Sequence, residues 1–287
     1  MIPGNFAYHR PATVAEAAGL LAEHGDEARV LAGGHSLIPV MKLRLSDLSH
    51  LVDLQDIAEL SGIEIGTDRI SIGAMTTQHE MISHAGLAQA MPIMAEAGNQ
   101  IADPQVRYCG TVGGNVANGD PGNDLPGLMQ CLNASYMLVG PNGARSVAAR
   151  DFYEAAYFTA RADDEILTRI EIPKLQAGTG YAYEKQKRKI GDYATAAAAV
   201  TLRVAGGVCE ACDVAMTNLS DTPVYCADAS QVLVGTNLDG AAQQLAVSAM
   251  LASIDPVADN RGPVDFKKHV AGVILRRAIE RARDRAA

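Results

Sequence analysis

The stretch Ala32-Gly33-Gly34-His35-Ser36, with its partner Thr111-Val112-Gly113-Gly114-Asn115, decides how this chain is read. The first follows the strand-like Val30-Leu31 and the second follows a polar loop. Paired glycines let the backbone take positive φ and aim successive N–H groups at one point. Such a nest cradles phosphate oxygens, and Ser36, Thr111 and Asn115 add short side-chain donors. Neither stretch is G-x-G-x-x-G or G-x-x-x-x-G-K-[ST], so neither a Rossmann site nor a P-loop is supported. One Gly-Gly pair alone reads as a turn. Two of them, each with hydroxyl or amide donors beside it, suggest one diphosphate gripped from both sides.

Outward from these stretches the elements alternate. Thr13 and Glu16 have capping-box spacing ahead of a helical run from Ala17 to His24, which Gly25 stops. Ala28 to Leu31 and Leu51 to Leu54 read as short strands, and Val40 to Leu45, after Pro39, as one or two helical turns. Ile63 to Ile65 and Arg69 to Ile72 alternate around Gly66-Thr67-Asp68, a hairpin signal. Thr76 is placed to cap a helix carrying Met81 and Ile82, and a second helix is expected over Pro92 to Asn99. Tyr136 to Val139 and Arg145 to Ala148 flank a Pro141-Asn142-Gly143 turn, and Ile166 to Ile172 reads as a strand. Gln176 to Gly180 is the linker candidate. Beyond it come three strand-like runs to Leu219 and helices over Ala241 to Ser253 and Val264 to Arg285, with Pro256, Gly262 and Pro263 between them. The pattern is α+β, in two or three subdomains, with a boundary near 177.

Composition removes other classes. Of 287 residues 48% are hydrophobic and 20% charged, as in a folded chain rather than a disordered one. With no Trp and few aromatics the core must be aliphatic. A net charge of −9 argues against general binding to nucleic acid. The charge is uneven: from Arg261 onward eight Lys/Arg against three Asp/Glu leave a local +5, so the rest of the chain carries −14. That tail reads either as a solvated helix face or as a docking surface for an acidic partner. No apolar run approaches the ~20 residues of a membrane span, and the start lacks an export signal. Five scattered cysteines do not form a secreted disulfide framework. A cytoplasmic location is expected.

Few other residues suggest chemistry. Cys209 and Cys212 are three apart on a strand, which would point them to opposite faces, and no second pair or nearby His completes a metal site. Two buried small side chains are expected there. The seven histidines form no H-x-H or H-x-x-x-H pair, and only His35, inside a glycine stretch, draws interest. The turn-rich Ala117 to Pro126 is either a surface loop capping a helix from Leu125 or a ribose or adenine contact through Asp124. The basic run Lys185 to Lys189 leads to Asp192-Tyr193. It reads as a solvated strand edge or as cations near a diphosphate or flavin, and Tyr193 as a core tyrosine or a ring-stacking one.

At these residues a resemblance enters. Ala32 to Lys42, Thr111 to Asn115 and Lys187-Arg-Lys-Ile-Gly-Asp-Tyr-Ala194 resemble the flavoprotein (medium) subunits of aerobic, molybdenum-containing carbon monoxide dehydrogenases, within the xanthine dehydrogenase or molybdenum hydroxylase group. The resemblance covers essentially the whole chain. It implies a two-part FAD-binding region of the vanillyl-alcohol-oxidase (PCMH) type over about 1–177, divided near 55. A C-terminal α+β domain with antiparallel sheet and helices would follow over 178–287. It implies FAD held at the diphosphate by Ala32, Gly33, Gly34, His35 and Ser36 and by Thr111, Gly113, Gly114 and Asn115. Ile101 and Leu167 would be apolar contacts, Asp124 a polar one and Lys185 a lysine beside the flavin, with Asp192 and Tyr193 reaching the ring. No catalytic residue and no metal ligand is implied in this chain. The resemblance also implies a small iron–sulfur subunit with [2Fe–2S] clusters and a large subunit with a molybdenum–copper cofactor, in a dimer of heterotrimers. Electrons would pass to a quinone-type acceptor, peripherally at the inner face of a membrane. Other readings are the flavin subunit of an aldehyde- or N-heterocycle-oxidising hydroxylase, a cofactor-free scaffold, and a free-standing FAD oxidase, which lacks any identifiable substrate base.

Overall fold

The computed structural model describes residues 2–286. A three-stranded parallel sheet opens the chain, with His50–Asp53 between Ala7–His9 and Ala28–Leu31. The helix Val14–His24 covers it, burying Val14, Ala17, Ala18 and Leu21 against Ala28, Val52 and Leu54. Thr13 Oγ1 accepts the Glu16 N–H at 3.1 Å, as the capping spacing requires, while the Glu16 carboxylate takes the Ala12 N–H, one residue before the reciprocal position.

A five-stranded antiparallel sheet follows, in the order Ile63–Ile65, Arg69–Gly73, Ile166–Pro173, Ser135–Gly140 and Gly143–Ala148. Both expected hairpins are in it. Short helices pack on it through Met81, Leu87, Ile93, Met94, Leu125 and Leu128, an aliphatic core in which Tyr136, Phe152 and Tyr183 are the large aromatic members. The last unit is a four-stranded antiparallel sheet, Thr179–Gln186, Ala196–Ala205, Val208–Thr217 and Val224–Tyr225, covered by the helices Ala227–Leu233 and Val264–Arg283, with Gly240–Ser253 packed on both helices. Its alanine-rich strand is buried on both faces. Ala197 and Ala199 join the central core, while Ala196, Ala198 and Val200 join the helices.

Four local expectations are corrected. The helix expected after Pro39 is Leu37–Lys42, which includes that proline; N–H groups of a first turn have no intrahelical acceptor, so proline is tolerated there. The cap of Gln78–Ser83 is Thr77, in a full capping box with Glu80, because Thr76 Oγ1 is engaged with both the N–H and the carbonyl of Gly62. Cys209 and Cys212 are both buried, as expected, but not on opposite faces. The ladder slips between Arg203 and Val204, so Ala211 and Cys209 oppose successive partners with Glu210 left over. Such a bulge cancels the alternation of side chains, and both thiols enter one core. Finally, the basic tail is mostly spent internally. Arg281 bonds Glu184, Arg285 pairs with Glu96 at 2.8 Å, Lys267 is buried on Asp259 and the Val257 carbonyl, and Arg261 meets Asp192. These bonds strap the last helix down.

Candidate functional site: a cleft between the two glycine loops

The first glycine stretch links the strand Ala28–Leu31 to the helix Leu37–Lys42, and the second leads into the helix Val112–Ala117. The two meet backbone to backbone. A Cβ at Gly33 would strike the Cys109 carbonyl oxygen and lie 2.8 Å from Gly110 Cα, so only glycine allows the approach. Gly34 sits at φ 72°, a conformation that costs a side-chain-bearing residue energy. Between the loops opens a cleft of about 690 Å³, within the usual size of a cofactor site.

All fifteen residues singled out from sequence line this one cleft. Their local roles differ. Among the described residues the N–H groups of Gly33, Gly34, His35, Ser36 and Leu37 have no partner in the protein; the first to bond is Ile38, to the Gly34 carbonyl at 3.0 Å. His35 Nδ1 lies 2.8 Å from the Gly33 carbonyl, holding the ring against its own loop. Ser36 caps nothing, so its hydroxyl is free. The second loop is not a nest. Val112 N–H bonds the Thr76 carbonyl, Gly113 that of Ala74, Gly114 the Thr111 Oγ1 and Asn115 the Thr111 carbonyl. The expectation that amides of Gly113 and Gly114 face a diphosphate is therefore corrected: they are consumed by helix capping and strand contacts. What the loop still offers is the Thr111 hydroxyl proton and the Asn115 side-chain amide, whose Oδ1 accepts from Leu125 N–H at 3.3 Å.

Behind this loop Asp124 is 4% exposed and belongs to the floor rather than to a surface loop. Lys185 Nζ donates to one oxygen at 2.8 Å and the Tyr183 hydroxyl to the other at 2.6 Å. Burial pushes the Asp124 carboxyl above its ordinary range, against the pull of Lys185 and Tyr183. Lys185 also donates to the Gln100 carbonyl at 3.1 Å, so two of its three ammonium protons are engaged. Ile101 and Leu167 are buried and supply apolar wall, the latter just before a bulge at Thr168 whose carbonyl accepts from Ala74.

At the other end, burial opposes ionisation of Asp192, but Arg188 at 2.8 Å and Arg261 at 3.1 Å together hold its carboxyl below the ordinary range. Tyr193 donates to Asp120 at 3.0 Å. Burial first, then Asp120, raises the phenol above its usual value, so it is a proton donor throughout the neutral range. Its ring lies over Gly122, where a Cβ would come within 2.8 Å, and remains partly exposed.

A family model described as "FAD binding domain in molybdopterin dehydrogenase" matches residues 4–175, and one described as "CO dehydrogenase flavoprotein C-terminal domain" matches 181–282. The chain belongs to the carbon monoxide dehydrogenase flavoprotein family. Over 287 residues, all of this chain and 99% of the relative, it is 58% identical to a carbon monoxide dehydrogenase medium chain of Afipia carboxidovorans. The crystal structure of a Cu,Mo-CO dehydrogenase in cyanide-inactivated form contains a chain that superimposes with a TM-score of 0.98 at 57% identity, each chain fully covered. The wider group is also represented: a glyceraldehyde dehydrogenase medium chain of Sulfolobus acidocaldarius is 33% identical over 98% of this chain and 99% of the relative. The chain is thus an FAD-binding component of an oxidoreductase, and its cleft fits that cofactor. Five open amides and two hydroxyls suit a diphosphate, the walls are apolar, and Gln78 presents a buried Oε1 without a partner among the described residues.

Sequence reasoning missed part of the lining. Gln78 gives no signal beyond its place near a helix start. Ala102 and Tyr157 line the cleft at φ 40° and 65°, and strained backbone of this kind gathers at binding sites, but nothing in their residue types announces it. Arg161, also on the wall, spends one nitrogen on the carbonyls of Ala162, Asp163 and Glu165; burial lowers its affinity for the proton.

Proposed function

We propose that this chain is the flavoprotein subunit of an aerobic carbon monoxide dehydrogenase. In that enzyme CO and water become CO2 at a molybdenum–copper centre on a large subunit. Electrons then pass through [2Fe–2S] clusters of a small subunit to FAD here, and onward to a quinone-type acceptor. The observation that carries the reading is the convergence of all fifteen residues on one cleft in a chain similar along its whole length to carbon monoxide dehydrogenase medium chains. Bound FAD supplies the capacity to accept and release electrons; the residues around it bind and orient. The open amides of residues 33–37 hold the diphosphate, with Ser36 and Thr111 donating from either side. Ile101 and Leu167 exclude water. Lys185 and Tyr183 fix Asp124 as a polar wall, and Asp192 and Tyr193 border the flavin ring, where Arg188 and Arg261 keep positive charge nearby.

The FAD-binding region takes residues 1–177, in two parts, and the C-terminal domain 178–287. The assembly is a dimer of heterotrimers in the cytoplasm, with peripheral contact at the inner membrane face to deliver electrons. No helix among the described residues is long and apolar enough to cross a membrane. The second reading, an aldehyde- or N-heterocycle-oxidising hydroxylase, is favoured by the glyceraldehyde dehydrogenase relative, at markedly lower identity. Purifying the native complex and assaying it with CO, an aldehyde and an N-heterocycle, while identifying its flavin and metals, separates the two. Turnover of CO with FAD, copper and molybdenum present supports the first reading. Turnover of an aldehyde or heterocycle alone rejects it.

A further inference from the structure

Three histidines that no spacing rule links meet at one end of the N-terminal sheet. His9 ends the strand Ala7–His9, His24 ends the helix Val14–His24 and His50 begins the strand His50–Asp53. The parallel register sets His9 opposite Val52 and His50 opposite Ala7 and Ala28. Residues two apart on a strand share a face, so His9 and His50 lie on the side of Val52, the side the helix covers. The end of that helix then brings His24 onto His50, with ring centroids 3.7 Å apart and planes 10° from parallel. His9 is 5.2 Å from His50 and 5.5 Å from His24. His9 Nε2 lies 3.0 Å from His50 Nδ1, and one ring nitrogen from each of the three lies within 4.8 Å of the others. All three rings are half-buried.

A tetrahedral ion with metal–nitrogen bonds of about 2.0–2.1 Å needs ligand nitrogens roughly 3.4 Å apart, close to the 3.0 Å between His9 Nε2 and His50 Nδ1. Because an imidazole binds through a lone pair in its ring plane, His24 must turn out of its stack on His50 for all three to face one ion. We propose that His9, His24 and His50 hold one divalent ion of the zinc, copper or nickel class through three imidazole nitrogens, with water in the remaining position. Imidazoles without any carboxylate select such borderline ions over calcium or magnesium. The carbonyl end of the helix, at His24, adds a favourable potential for a cation. The ion would tie two strands to the helix that precedes the first glycine loop. It lies outside the FAD cleft and does not depend on the proposed CO chemistry.

The test uses the full-length, untagged chain, stripped with chelator and titrated with zinc or cobalt. One zinc per chain should survive dialysis, cobalt should give the intense visible band of a tetrahedral site, and zinc should bleach that band. His24→Gln and His50→Gln should each lose the band and the retained zinc, while His269→Gln, at an exposed histidine elsewhere, should keep both. Absence of the band and of retained zinc in the unmutated chain overturns the proposal, whatever the variants do. Equal uptake by the unmutated chain and the His24 variant overturns it as well, since the metal would then lie elsewhere.

Discussion

At Gly33-Gly34 five successive backbone N–H groups, from Gly33 to Leu37, have no acceptor among the described residues, whereas at Gly113-Gly114 the N–H groups of Val112 through Asn115 all have one. The loops abut, share a cleft and use the same dipeptide. One keeps its donors open at the start of the helix Leu37–Lys42, whose N-terminal Ser36 leaves its hydroxyl unspent. The other closes its donors on Thr111, Thr76 and Ala74, and its glycines serve close packing, since a Cβ at Gly113 would overlap Ala74. A binding loop and the frame that braces it can therefore be written with the same residues. What separates them is where the hydrogen bonds go.

The comparison can be broken by substitutions whose effects should divide between stability and affinity. Lys185→Ala, behind the bracing loop, strands the buried Asp124 carboxylate; removing one partner of such a pair costs about 3–5 kcal/mol. Urea unfolding of the flavin-free chain should show that loss, and adding Asp124→Asn should recover part of it. An unchanged midpoint for Lys185→Ala would mean that the pair does not support the frame. Gly33→Ala should be next. Its Cβ must push the Cys109–Gly110 backbone away, an overpacking cost of about 1–3 kcal/mol, equivalent to a roughly 5- to 150-fold weaker FAD Kd if the strain falls on the bound state. Equilibrium titration of FAD measures it, and tight binding would show that the loops need not touch.

The smallest effects are the most discriminating. Thr111→Ala deletes a helix cap, worth about 0.5–2 kcal/mol of stability, and should lower the unfolding midpoint of the flavin-free chain. Ser36→Ala deletes a hydroxyl that caps nothing, so that midpoint should stay put while FAD affinity falls by about 0.5–1.5 kcal/mol. The reverse pattern would exchange the roles assigned to the two loops.

Much of this architecture was legible from the residues themselves. Thr13 and Glu16 located a helix start, the Asp68 and Asn142 turns located two hairpins, and the fifteen cleft residues came from motif resemblance built on the two glycine stretches. The helix Val112–Ala117 was not legible, because Gly-Gly and a β-branched valine are poor helix formers and its stability comes from the Thr111 cap and strand contacts. The bulge at Glu210 was hidden for a similar reason: alternation along a strand carries no mark of a skipped residue, so Cys209 and Cys212 looked opposed. The histidine cluster was beyond any spacing rule, since its members come from three elements that only the parallel register brings together. Gln78, Ala102 and Tyr157 line the cleft through backbone placement alone.

Amide hydrogen exchange at residues 33–37 and 112–115, with and without FAD, tests the division most directly. Without FAD, the amides of 33–37 should exchange rapidly and those of 112–115 should already be protected. On FAD binding the first group should slow markedly and the second should barely change. Protection that appears mainly at 112–115, or that leaves 33–37 exchanging as before, would contradict the account.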